Sequence, residues 1–339
     1  MVVISQNPVD NVIIGVVAIV FLVFVADKVI EKLIKLSKKL GISHLFVGLT
    51  IIAIGTSLPE ITTGVVASLD IVSGKIDPFI ASATVLGTNI GSDIVQQSLI
   101  IGIVGLLAVL RLRTIHVKRI FIKEDGLVMV LAAILLLLFG LDREISRVEG
   151  AVLFFGYILF LWFLWLKEDR KIHDHKRFNL DGNDKKNIFI DVVYILAGLG
   201  VIIFSAEYVL RVAEFFVIMY GVGGSLIGIM VIGVATALPE LTTSITAILK
   251  GASSISIGTL IGSNITNPMF ALGLGAMISS YQVPKPIIVY DLPVKIVSSI
   301  ILMWFLWRNR MFTRKEAMTM ISIYFVFILV RLRYFAVDV

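Results

Sequence analysis

The chain has 339 residues, of which 58% are hydrophobic and only 16% charged, and its mean hydropathy is +0.99. That balance excludes an ordinary soluble protein and describes an integral membrane one. Cysteine is absent, which excludes disulfides, thiolate chemistry and Cys-ligated metal, and leaves the net charge of +6 to be explained.

Apolar stretches of about 20 residues, the length of helix that crosses the hydrocarbon, recur along the chain. In order they fall at about 11–36, 42–69, 79–109, 122–140, 146–166, 188–218, 222–249, 254–280, 292–308 and 314–333. The first is too long for a signal-peptide core and follows no basic leader, so it is expected to remain as a helix. The expected fold is therefore all-α, with ten transmembrane helices.

The basic residues gather on alternate loops. The stretches 28–39, 111–123, 167–186, 250 and 308–315 hold 22 of the 30 Lys and Arg residues. The other eight are Lys75, Arg143, Arg147, Arg211, Lys285, Lys295, Arg331 and Arg333. The positive-inside rule places the first set in the cytoplasm and both termini outside. The positive charge is thus topology, with the lipid bilayer as the partner and no nucleic acid. With no organelle signal, the expected location is the plasma membrane of a prokaryote.

The second span carries "AIGTSLPEITTGVV" (53–66) and the seventh carries "GVATALPELTTSIT" (233–246). Aligning 48–65 with 228–245 gives identity at Gly48/Gly228, Ile52/Ile232, Thr56/Thr236, Leu58/Leu238, Pro59/Pro239, Glu60/Glu240, Thr62/Thr242 and Thr63/Thr243. The next spans match again, "GTNIGSD" (87–93) against "GSNITNP" (262–268). Five spans separate the copies, and five is odd, so they run in opposite directions. The expected organisation is a first five-helix repeat over 1–166 (motif 48–109), a cytoplasmic linker over 167–187, and a second repeat over 188–339 (motif 228–280). Inverted repeats of this kind bring broken helices to the midplane, where substrate and coupling ions bind.

Pro59 and Pro239 lack an N–H, so the carbonyls of Gly55 and Ala235 lose their helical donor. Freed carbonyls beside Glu60 and Glu240, with Thr56 and Thr236 one turn back on the same face, make an all-oxygen cage of the kind hard cations take. An intramembrane carboxylate costs about 2.5–3.5 kcal/mol at a helix centre, which points to function at both glutamates. On the adjoining helices Thr88/Ser92 and Ser263/Asn267 are four apart and share a face. The GxxxG spacings Gly87/Gly91 and Gly258/Gly262 read as close helix packing. Asp93, one turn after Asn89, is either a third carboxylate ligand or a hydrogen-bonding group within the bundle.

Other polar features have simpler readings. The stretch 167–186, with His173 and His175, is a solvated linker. Glu207 and Arg211, four apart, read as an interface ion pair. Asp291 and Lys295 are expected at a helix end, where snorkelling is cheap. All four histidines, His44, His116, His173 and His175, lie in or beside cytoplasmic loops, so no Ser–His hydrolase is built here and the chain is not an enzyme.

The paired "GTSLPE" and "ATALPE" strings resemble the alpha repeats of the cation/calcium exchanger superfamily, and most closely its sodium/calcium exchanger branch. The resemblance covers the ten-span layout. It implies that Glu60 and Glu240 bind the exchanged cations, with main-chain carbonyls of Thr56, Thr236, Ala53 and Gly233 and the side chains of Ser57, Thr88 and Ser263 as further ligands. Ala237 stands where that branch often has Ser, Asn267 where it has Asp, and Ser92 where it has Asn. With those departures the site carries the charge of two glutamates, which one divalent ion cancels.

Two close carboxylates repel, so an empty site holds protons or monovalent cations, which then compete with a divalent ion for the same oxygens. Competition of that kind gives antiport by alternating access, and the resemblance implies Ca2+ exchanged for Na+. Mg2+ in place of Ca2+, H+ in place of Na+, and a passive cation channel are the alternatives. No cofactor is expected, and the self-contained repeat pair suggests a functional monomer. In the related family the first helix of each half slides over a rigid core, which here implies spans 1 and 6.

Overall fold

Each proline of the repeated motif breaks the helix that carries it. A computed structural model describes residues 8–110, 119–174, 188–202, 204–205, 228–309 and 312–335, almost all of them helical. After α1 (Pro8–Leu40), one span is made of two pieces, α2 (His44–Thr56) and α3 (Leu58–Val72), set at 44° to each other about Ser57. The first half continues with α4 (Pro78–Leu110), α5 (Arg119–Phe139) and α6 (Arg147–Asp174). The second half has α7 (Ile188–Ile202), a second broken pair α8 (228–236) and α9 (Leu238–Leu249), then α10 (253–279), α11 (Ile287–Arg308) and α12 (Arg314–Tyr334). Residues Glu207, Arg211, His116 and His175 lie outside the described set.

The helices α4, α5, α6, α11 and α12 are each long and apolar enough to cross a membrane, and the bent pair α2–α3 makes a sixth such span among the described residues. The expected ten are therefore only partly visible by length and hydropathy. One reason is chemical: α10 carries Ser263, Asn264, Thr266, Asn267 and Pro268 in its middle, which lowers its hydropathy although it is wholly buried over 255–269.

Contacts sort the helix ends into two groups. Ser43 N and Oγ, between α1 and α2, donate to Glu168 near the end of α6 at 2.5 and 3.0 Å. Lys250, after α9, reaches Asp27 of α1 at 2.9 Å, and Lys167 pairs with Glu124. The opposite end is marked by a two-residue antiparallel ribbon, β1 (Glu144–Ile145) against β2 (Tyr281–Gln282). The described stretches around 27–43, 124, 167 and 250 thus share one end, and α3 runs away from it while α9 runs toward it.

At the centre, α4 over 85–98 and α10 over 255–269 are buried on every side. Each packs on the broken pair of the other half, α2 on α10 and α8 on α4. Glycines permit the crossings, because a Cβ on Gly258 would stand 2.9 Å from the Leu45 carbonyl oxygen, and one on Gly91 would stand 2.9 Å from that of Ile229. The larger apolar cluster joins α4, α5, α6, α10, α11 and α12. A second cluster joins Ala26, Val29, Ile30 and Leu33 of α1 to Ile195, Leu199 and Ile202 of α7.

Helix α6 continues to Asp174, so the start of the stretch expected to be the linker is helical. One expectation is corrected. Asp291 and Lys295 do not snorkel at a helix end: both are fully buried, Asp291 Oδ1 pairing with Arg331 Nε at 3.1 Å and Lys295 pairing with Asp93. These partners satisfy the charges inside the bundle, which lets α11 start one turn earlier, at Ile287, than the charged residues suggest.

Candidate cation site

The break converts the middle of a span into a helix start. Glu60 and Glu240 fall in the first turns of α3 and α9, where Pro59 and Pro239 take positions whose N–H has no helical partner anyway. The backbone N–H groups of such a first turn have no helical acceptor. A negative side chain at that end is favoured by the helix dipole. The carbonyls that end α2 and α8 point toward the same break. Those of Gly55 and Ala235 face proline nitrogens, whereas those of Ala53 and Gly233 already accept from Ser57 N at 3.0 Å and Ala237 N at 3.2 Å.

The two breaks meet. Thr236 of α8 faces Glu60, Thr56 of α2 faces Glu240, and the two carboxylates are close enough to repel. Ser92 Oγ donates to Glu60 Oε1 at 2.9 Å, and Ser263 Oγ approaches Glu240 Oε1 at 3.4 Å. Thr56 Oγ1 donates back to Ile52 O at 2.9 Å, which leaves its lone pairs for the other side.

The remaining donors are consumed while acceptors stay open. Asn89 and Asn264 donate Nδ2 to Val85 O and Leu260 O, both at 2.9 Å, and Asn267 donates Nδ2 to Asp93 Oδ1 at 2.8 Å. All three Oδ1 atoms are buried with no hydrogen-bond partner. So are Ser57 Oγ, Thr88 Oγ1, Ser244 Oγ and the Oε2 atoms of Glu60 and Glu240. Buried oxygens without partners are rare, and a concentration of them on the broken helices that carry the two glutamates and on the neighbouring α4 and α10 asks for cations. Among the described residues no three His, Cys, Asp or Glu side chains converge on one point, so this cage consists of two carboxylates and neutral oxygens.

The predicted residues Thr56, Ser57, Glu60, Ser92, Thr236, Glu240 and Ser263 are brought to the two breaks, and Thr88 and Asn267 add unpartnered oxygens from α4 and α10. Asp93 is held apart by Lys295 and Asn267. Sequence reasoning missed Gln96. Its Nε2 donates to Ser92 Oγ at 3.1 Å and its Oε1 accepts from Asn264 at 3.3 Å, linking the two halves. It also missed Gln97, whose Nε2 donates to Lys295 O at 2.7 Å. Neighbouring residues of a helix point about 100° apart, so Gln96 and Gln97 reach different partners from adjacent positions, in the π-helical turn Val95–Ile100. Pro268 helps to widen α10 in the same way at Asn267–Ala271. A glutamine pair in an apolar run was the available signal.

Comparison with known proteins places this geometry. A family model described as sodium/calcium exchanger protein matches residues 11–166 and 190–333. The chain is 29% identical to the sodium/calcium exchanger MaX1 of Methanosarcina acetivorans, over 94% of this chain and 98% of that one. It is 28% identical to the inner membrane protein YrbG of Escherichia coli, over 87% and 88%. Its fold matches solved structures of the sodium-calcium exchanger NCX_Mj, one of them with a TM-score of 0.77 at 22% identity, covering 95% of this chain and 99% of the other.

Proposed function

The chain belongs to the sodium/calcium exchanger family, and from that premise we infer that it is an antiporter exchanging Ca2+ for Na+ across the membrane. The observation that carries the site is the pair Glu60 and Glu240, fully buried, facing each other across two helix breaks, each with an unpartnered Oε2. Two uncompensated charges in a membrane interior are tolerable only with cations between them.

The proposed ligands are the carboxylates of Glu60 and Glu240, the side chains of Ser57, Thr88, Ser92, Ser263 and Asn267, and main-chain carbonyls of Thr56, Thr236, Ala53 and Gly233. Ala53 and Gly233 contribute the lone pair that their amide partners leave. Calcium suits this set better than magnesium, because the open oxygens are numerous and spread over four helices, whereas magnesium demands a tight octahedron and keeps its waters. Asp93 enters through Asn267, not as a direct ligand.

The same proposal takes ten spans in two inverted repeats, 1–166 and 188–339, around the linker, with both termini outside in a cell membrane and the monomer as the working unit. The opposite directions of α3 and α9 support it. Alternating access follows if α1 and α7 slide over the rest along their shared apolar cluster, which also takes in Val47 and Ile52 of α2, Ala247 of α9 and Ile255 of α10.

Calcium uptake into proteoliposomes under an imposed Na+ gradient tests the assignment, with Mg2+ and a proton gradient as comparators. Na+-driven Ca2+ uptake is expected, and Glu60→Gln or Glu240→Gln should lower it by two orders of magnitude or more, as a buried charge worth about 3–5 kcal/mol implies. Flux that survives both substitutions, or that runs equally without a gradient, overturns it.

A further inference from the structure

A lysine sits where a transported cation might be expected. Lys295 of α11 and Asp93 of α4 are both fully buried and form a salt bridge. Asp93 is the residue after Ser92, which holds Glu60, and its charge is felt at Glu60. Its other oxygen accepts from Asn267 Nδ2 at 2.8 Å, and that bond turns the amide so that Asn267 Oδ1 is left buried and open. The main chain at Lys295 is itself fixed from behind. Gln97 Nε2 donates to its carbonyl at 2.7 Å, and Ser299 Oγ donates to the same carbonyl at 2.8 Å and to Gln97 Oε1 at 2.7 Å. A buried polar cluster satisfied on so many sides holds one geometry.

We propose that Lys295 is a tethered counter-cation that permanently cancels Asp93, orients Asn267 toward the cage, and thereby makes exchange charge-balanced at two monovalent ions per divalent ion. This inference rests on the exchanger assignment and on the two glutamates as the site. The charge arithmetic is direct. Glu60, Glu240 and Asp93 supply three negative charges, and Lys295 removes one without ever leaving. Two charges remain, which either one divalent or two monovalent cations neutralise, so the loaded protein carries the same charge in both halves of the cycle. The other fully buried ion pair along α11, Asp291 with Arg331, is neutral in itself and does not alter the count. An ammonium fixed to a helix buried on α4 cannot exchange with solvent, unlike a free cation at the same oxygens. Without it, Asp93 would present an uncompensated carboxylate in the membrane interior and must recruit a further monovalent ion.

The test measures the ratio of Na+ to Ca2+ moved, with radiotracers, and the response of Ca2+ flux to a membrane potential clamped by K+ and valinomycin. Wild-type protein is expected to move about two Na+ per Ca2+ and to ignore the potential, since moving a net charge across a 100 mV potential carries about 2.3 kcal/mol. Lys295→Met should raise the ratio toward three and make the flux voltage-sensitive. The double variant Lys295→Met/Asp93→Asn, which removes both charges, should return to a ratio of two, and it serves also if the single variant fails to fold. Na+-driven flux in the wild type that is voltage-sensitive, or a Lys295→Met protein that stays voltage-insensitive, overturns the inference and leaves the exchanger assignment intact. Absence of Na+-driven Ca2+ flux in the wild type overturns both.

Discussion

The two halves of the site differ at single atoms. Ser57 and Ala237 occupy equivalent breaks, yet only Ser57 offers a hydroxyl, and that Oγ is buried without a partner. Ala237→Ser would give the second break the same oxygen at little cost in volume, since Ala237 is buried beside residues that end in α8. A hydroxyl ligand is comparable with a hydrogen bond of about 1 kcal/mol, so the Na+ concentration for half-maximal exchange should fall by about 5-fold while Ca2+ exchange persists. Unchanged Na+ dependence would mean that the second break is not a monovalent site. Ser92 and Asn267 differ similarly, the first binding Glu60 directly and the second binding Asp93, so the symmetric sequence motif holds an asymmetric set of oxygens.

At the scale of elements, the broken pairs and the crossings that hold them are separable. The proline matters for electrostatics, because it removes one amide donor from the break and starts a new helix at the glutamate. The glycines matter for distance. Gly258 stands where a Cβ would be 2.9 Å from Leu45 O and 3.2 Å from Gly48 Cα, and neither contact is a flexible side chain that can move aside. Gly258→Val is therefore expected to destabilise the protein by about 1–3 kcal/mol or more and to lower its unfolding temperature in detergent, whereas Gly200→Val, with open space around it, should leave that temperature nearly unchanged. Equal stability of the two variants would argue that α2 and α10 do not cross as described. The helix period belongs to the same scale: it sends Gln96 toward Ser92 and Asn264 and Gln97 toward Lys295 from adjacent positions.

For the whole molecule, the absence of cysteine becomes a tool, since a single introduced thiol reports its own side of the membrane. With both termini outside, Lys75→Cys, between α3 and α4, should react with an impermeant maleimide in intact cells. Lys38→Cys, at the end of α1, should react only after permeabilisation. The reverse pattern would invert the orientation. Ion pairs at the basic end, Lys250 with Asp27 and Lys32 with Asp191 at 2.6 Å, connect α1 to α9 and to α7. Being partly exposed, they add little to stability, and they are contacts that the proposed sliding of α1 would have to rearrange.

By itself the sequence determined the membrane class, the repeated motif, the position of both breaks and the two glutamates. Those features are local: a proline removes one N–H wherever the chain goes, a carboxylate in an apolar run is costly in any fold, and identity between two segments needs no coordinates. Tertiary structure decided what residues distant in sequence do to one another. Lys295 looked like a snorkelling lysine until α11 packed beside α4 and gave it Asp93, 202 residues away. Asp291 likewise found Arg331. Gln96 and Asn264, separated by 168 residues, met only because each half's central helix packs on the other half's broken pair. Whether a buried charge is a ligand or a partner depends on the charge opposite it, and that is a property of packing, not of spacing along the chain.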